Sequence, residues 1–141
     1  MADRVTIICD GAPAAIGPYV QGVKLGEWMF LSGQIPLDAK SMTLLEGDIA
    51  EQTHLVLKNI TAILESCGTS LGSVVKTTCF LDDMNDFAEF NKVYAEYFNY
   101  NPPARSTVEV AKLPMGAKVE IECIVHLNVK QDMGAASGSL L

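Results

Sequence analysis

The stretch from Asp48 to Leu81, DIAEQTHLVLKNITAILESCGTSLGSVVKTTCFL, decides the fold class, because its hydrophobic period changes partway along. Ile49, Val56, Leu57, Ile60, Ile63 and Leu64 recur at helical spacing, so residues from about Asp48 to Cys67 form an amphipathic helix. Asp48 and Glu51 in the first turn complement the helix dipole, and Gly68 stands where a left-handed residue ends such a helix. From Ser73 to Leu81 β-branched residues take over and predict a strand. The flanks supply the rest of a sheet. On the N-terminal side Arg4 to Cys9 reads as a strand and the Gly/Pro-punctuated residues 11–18 as a loop. Val20 to Leu25 and Trp28 to Ser32 then form a hairpin turning at Gly26-Glu27, followed by polar loop to Gly47. On the C-terminal side a second helix runs from about Asn85 to Asn99, with Phe87, Phe90, Tyr94, Tyr97 and Phe98 as its core-facing row. Asn101-Pro102-Pro103 stops it, and Arg105 to Ala111 and Val119 to Asn128 alternate as strands. The order β-β-β-α-β-α-β-β predicts a two-layer α+β domain over residues 1–130, with both helices on one face of a single sheet. The Gly/Ala/Ser-rich residues 131–141 read as a loose tail.

Composition narrows the function. Ten Lys and Arg against 17 Asp and Glu leave a net charge of −7 over 141 residues, which opposes a broad phosphate-binding surface and disfavours nucleic acid as a partner. A hydrophobic content of 49% is more than one core of this size needs, and the sheet face left without helices is where a subunit interface would use it. No apolar run approaches the ~20 residues of a membrane span, and the N-terminal segment has neither a basic signal region nor an Arg-rich transit pattern. A cytoplasmic protein with no membrane partner is the expectation. Cys9, Cys67, Cys79 and Cys123 show no Cys-x-x-Cys spacing and read as four buried, reduced thiols. His54 and His126 have no carboxylate at ligand spacing and read as structural or solvated, so no metal is expected. Phosphate-loop, dinucleotide and nucleophile-elbow motifs are all missing, so no cofactor is expected either.

Two charged residues stand out. Arg105 opens a strand after the direction-fixing Pro102-Pro103-Ala104, and its planar fork of donors suits a carboxylate or phosphate; a plain ion pair is the competing role. Glu120 lies between Val119 and Ile121 and faces away from the apolar row, as Glu122 does, where solvation is the simplest role. Paired as an unbulged hairpin, these strands put Arg105 and Glu120 on one face if the connecting loop has an even number of residues, and on opposite faces otherwise. Tyr19 after Gly17-Pro18, and Ser32 before Gly33, sit at loop–strand junctions where binding side chains are presented.

Taken together, APAAIGPY (12–19), FLSGQIP (30–36), Phe90-Asn91 with Tyr94 and Tyr97-Phe98, PARS (103–106), VEVA (108–111) and VEIEC (119–123) resemble the RidA/YjgF family of enamine/imine deaminases, also called endoribonuclease L-PSP or translation inhibitor proteins. The resemblance spans about Val5 to Leu127. It implies a chorismate-mutase-like fold and a homotrimer whose sheets pack into a central barrel, with ligand clefts between subunits. The implied reaction is hydrolysis of 2-imino acids such as 2-iminopropanoate, released as the enamine 2-aminoacrylate, to 2-keto acids and ammonia. By the same resemblance Arg105 would grip the substrate carboxylate and Glu120 would position and activate water. Tyr19, Ser32 and Asn91 would line the cleft, and the Thr107 backbone would touch the ligand. No metal, cofactor or covalent nucleophile is implied, because an imine carbon is already electrophilic. The chain departs from the pattern at Thr107, where many members carry Cys, and at Val20, where many carry Ser. The competing classes are a non-catalytic ligand-binding or chaperone-like protein and an endoribonuclease, the latter opposed by the net charge and by the lack of a histidine pair for phosphodiester cleavage.

Overall fold

A computed structural model describes residues 3–129, so the tail expected over 131–141 lies outside the described residues. Six strands, β1 (Arg4–Ile7), β2 (Gly22–Leu25), β3 (Trp28–Gln34), β4 (Val74–Leu81), β5 (Ala104–Glu109) and β6 (Val119–His126), form one mixed sheet. Two helices, α1 (Ile49–Ser66) and α2 (Phe87–Tyr97), lie on one of its faces. The predicted element order and α+β class hold throughout.

The ends of α1 follow from its sequence. Asp48 accepts from the Glu51 N–H at 2.8 Å while Glu51 accepts from the Asp48 N–H at 3.1 Å, a reciprocal cap that satisfies two otherwise orphaned donors. At the other end Gly68 adopts φ +76°, and the N–H groups of Gly68 and Thr69 close back on Glu65 and Leu64. The predicted stripe of α1 is wholly buried against Met29, Leu81, Val119, Ile121 and Val125 of the sheet. From α2, Phe90, Tyr94 and Phe98 enter the same core, while Phe87 and Tyr97 pack at its margin. Tyr97 meets His54 of α1 through a 3.0 Å hydrogen bond, a structural use of that histidine. Of the four thiols expected to be buried, Cys9, Cys79 and Cys123 are, whereas Cys67 at the C-terminal cap of α1 is only partly buried and packs at the margin of the core.

The topology settles what alternation alone left open. The strand order is β1-β2-β3-β6-β4-β5, so the last two strands do not pair as a hairpin. Instead α2 carries the chain from β4 to β5 as a parallel crossover, which places β5 at the sheet edge. The chain then crosses back through residues 110–118 to insert β6 antiparallel between β3 and β4. Arg105 aligns with Thr77, and Thr77 aligns with Cys123; Glu120 aligns instead with Phe80. Cys123 and Glu120 are three residues apart on β6, so side-chain alternation puts Arg105 and Glu120 on opposite faces of the sheet.

The face without helices carries an exposed apolar group beside the polar Lys76, Ser106 and Glu122. Leu25, Trp28, Phe30 and Val108 are exposed there, beside the partly buried Phe80 and Ile124. His126 meets Trp28 edge-on at 4.6 Å between ring centroids.

Candidate functional site

Two clusters hold the predicted site residues, one on each face. On the helix side, Arg105 extends from β5 over the aromatic row of α2, with its guanidinium carbon 4.7 Å from the Tyr94 ring centroid, 5.5 Å from Phe87 and 5.8 Å from Phe90. The ring faces attract the cation and restrict its rotation. Asn91, on the same turn of α2, accepts from Arg105 Nη1 at 2.8 Å. Asn91 therefore orients Arg105 as well as lining its surroundings. The neighbouring groups are uncharged: burial pushes the Cys79 thiol up to about 11 and the Tyr94 hydroxyl up to about 12, and Tyr94 shares a 2.8 Å hydrogen bond with Thr77. Thr107 follows on the same face of β5, its hydroxyl buried beside the Cys79 thiol.

On the other side, Glu120 at the start of β6 lines a cavity of about 480 Å³ together with Tyr19 and Ser32. The wall is otherwise largely aliphatic, with Ile16, Ile35, Leu37 and Met115 contributing. Two local features shape it. Between Leu31 and Gln34 the register of β3 against β6 shifts, so Ser32 and Gly33 bulge opposite Glu122. A Cβ built on Gly33 would collide with the Glu120 carboxylate, so the glycine is the space in which that carboxylate lies. Burial, and secondarily the like charge of Glu122, hold the Glu120 carboxyl above its ordinary range. The Ser32 hydroxyl donates to the Val20 carbonyl at 2.6 Å, which leaves its oxygen as an acceptor toward the cavity. Tyr19 is half exposed, and its hydroxyl accepts from the Ile16 N–H at 3.3 Å.

The six residues singled out in the sequence thus fall into Tyr19, Ser32 and Glu120 around one cavity, and Asn91, Arg105 and Thr107 on the opposite face. Gly33, Ile16, Ile35 and Met115 were not singled out. Gly33 looked like turn punctuation, and the aliphatic residues carry no mark in isolation. Among the described residues no group of His, Cys, Asp and Glu is arranged to hold a metal, and no helix is long and apolar enough to cross a membrane.

The sheet order, the two-helix layer and the bulged β3 beside Glu120 define a known class. The sequence profile of the family described as "Endoribonuclease L-PSP" matches residues 9–127, and the chain belongs to that family, which also contains the RutC and RidA proteins. A RutC family protein of Pyrococcus horikoshii is 52% identical over 123 residues, covering 87% of this chain and 98% of its own. A protein of Salmonella typhimurium named 2-iminobutanoate/2-iminopropanoate deaminase is 51% identical over 122 residues, covering 84% of this chain and 94% of its own. Among solved structures, the Escherichia coli YjgF gene product superposes with a TM-score of 0.82 at 49% identity, covering 86% of this chain and 98% of that one. The Escherichia coli TdcF structure, described as having bound serine, gives 0.81 at 44% identity, covering 86% of this chain and 98% of that one.

Proposed function

We propose that this protein hydrolyses small 2-imino acids to 2-keto acids and ammonia, as a homotrimer whose clefts lie between subunits. The observation that carries the reading is the Glu120 carboxylate, partly buried in an otherwise largely aliphatic cavity between Tyr19 and Ser32. It is supported by about half-identity to proteins named for that reaction.

Glu120 accepts a proton from a water as the water oxygen bonds to the imine carbon. The C=N electron pair moves to nitrogen, which takes a proton, leaving a tetrahedral carbinolamine. Its hydroxyl proton then passes, by way of the Glu120 carboxylate, to the amine nitrogen as the C–N bond breaks, so that nitrogen leaves as ammonia and the keto acid remains. A raised pKa suits this duty, because it makes the carboxylate a stronger base toward water than an exposed glutamate would be. Arg105, pre-oriented by Asn91 and the α2 rings, grips the carboxylate through paired N–H donors. Arg105 and Glu120 occupy opposite faces of one sheet, so a single substrate reaches both only if a second copy supplies one of them. The exposed Leu25, Trp28, Phe30 and Val108 give the apolar group that such an assembly covers, the centre of the proposed barrel. The unpaired thiols fit a cytoplasmic setting.

The test is competition for a short-lived imine. With 2-iminobutanoate generated by an amino-acid oxidase and trapped by semicarbazide, the wild-type protein suppresses trapping, whereas Arg105→Ala and Glu120→Gln do not. Equal trapping with and without wild-type protein overturns the reading. A second reading, amino-acid binding without turnover, is favoured by the TdcF structure with bound serine, and it predicts that calorimetry detects serine while trapping is unaffected.

A further inference from the structure

We infer that Gln21 is a positioning residue of the Glu120 cavity, acting through the loop that carries Tyr19. Gln21 is 5% exposed and precedes β2, yet its carboxamide spends itself entirely on the backbone of the preceding loop. Its Oε1 accepts from the Cys9 N–H at 2.6 Å, and its Nε2 donates to the carbonyls of Pro13 at 2.8 Å, Cys9 at 2.9 Å and Ala12 at 3.3 Å. The backbone of Gln21 is tied the other way, its carbonyl accepting from the Ser32 N–H at 2.9 Å. One residue thereby joins the loop to the bulged strand beside Glu120.

The loop needs such an anchor. Residues 9–19 belong to no helix or strand, and their own backbone bonds are local, Ala12 N–H to the Cys9 carbonyl at 3.4 Å and Tyr19 N–H to the Gly17 carbonyl at 2.8 Å. Yet Pro13, Ala14, Ala15, Ile16 and Tyr19 form one wall of the cavity, and Ala14, Ala15 and Tyr19 also border a second cavity of about 380 Å³. A wall that borders two cavities keeps its place through its attachments. Cys9 and Ala12 are packed into the core at one end, and Gln21, which borders both cavities, supplies the buried side-chain hydrogen bonds. Only a carboxamide of this length offers one acceptor and two donors to one N–H and three carbonyls. A glutamate would aim negative oxygen at three carbonyl oxygens, and a methionine would leave the Cys9 N–H and the Ala12 and Pro13 carbonyls without the bonds that Gln21 gives them.

The kinetic consequence rests on the deaminase reading; the structural consequence does not. In Gln21→Met we expect the Cys9 and Ile16 amides to exchange about tenfold faster or more, while Met29 and Val125 in the sheet centre keep their protection. Ile16 is the decisive amide, because it is bonded to the Tyr19 hydroxyl and not to Gln21. On 2-iminobutanoate kcat falls about tenfold, Gln21→Glu loses more, and the pH at which activity rises is unmoved because Glu120 is untouched. Faster exchange at Cys9 alone, with Ile16 and kcat at wild-type values, overturns the proposal. If neither variant folds, native-state exchange of the wild type in dilute urea decides: Cys9 and Ile16 opening together upholds the proposal, and Ile16 exchanging freely while Cys9 is protected overturns it. If the wild type leaves the imine untouched, the deaminase reading falls and the exchange results still decide the role of Gln21.

Discussion

The nest around Arg105 and the cavity around Glu120 are built on different plans. Arg105 projects from a strand onto a helix, and every group that holds it (Phe87, Phe90, Asn91 and Tyr94) comes from one face of α2. Glu120 also comes from a strand, but its surroundings are loop, bulge and turn: residues 13–19, the Ser32-Gly33 bulge, and Pro114-Met115. A cation with the carboxylate-binding duty proposed for Arg105 gains from a rigid aromatic seat. A carboxylate with the proton-exchanging duty proposed for Glu120 needs partial burial and a shaped space around it, which irregular backbone provides. The contrast predicts that damage on the Arg105 side weakens substrate binding, whereas damage on the Glu120 side slows the chemical step.

The largest expected effect is that of Glu120→Gln, which removes the proposed base and should lower kcat by about a thousandfold. The same change raises stability at neutral pH. Burial holds the native carboxyl above its ordinary value, so ionisation destabilises the folded state as pH rises through the native pKa. Below the ordinary glutamate value the side chain is neutral in both states, and the melting temperatures of variant and wild type converge there. A variant less stable than wild type at pH 7 would contradict this account of the site. Next comes Arg105→Lys, which keeps the charge but loses the paired fork and the stacking on α2; about a hundredfold loss in kcat/KM, carried mainly by KM, is expected from steady-state kinetics. If kcat collapsed while KM held, the division of labour between the two regions would fail.

Gly33→Ala sharpens the comparison from the other side. The added methyl displaces the end of the Glu120 side chain and no backbone, so kcat falls about tenfold while the melting temperature changes by no more than about 2 °C. A large loss of stability would show that the glycine serves the bulge rather than the carboxylate. The smallest effect is that of Glu122→Gln. It removes the like charge that helps hold the Glu120 carboxyl high, so the rising limb of the kcat–pH profile moves to lower pH.

The same division explains what was legible in the sequence. The stripe from Ile49 to Leu64 and the alternation from Val119 to Val125 disclosed helix and strand because each pattern is local. That β6 inserts between β3 and β4 is not local. Arg105 and Glu120 were therefore visible as individuals, while their separation onto two faces waited on the strand order. Phe87, Phe90 and Tyr94 read as a core row. Their second duty under Arg105 appears only once the crossover sets β5 beside β4 and brings Arg105 over α2. Gly33 and Gln21 were the least legible, since one acts by leaving space and the other bonds only to backbone, and neither leaves a mark in side-chain chemistry.

The central claim is that Arg105 and Glu120, on opposite faces of one chain, serve one substrate through two copies. Refolding Arg105→Ala and Glu120→Gln chains together tests it directly, since each alone is inactive in the trapping assay. If the proposed trimer forms, mixed assemblies should recover about a quarter of wild-type activity per subunit, the chance that a random head-to-tail interface joins an intact Arg105 to an intact Glu120. No recovery, with mixed trimers demonstrated by mass spectrometry, would contradict it.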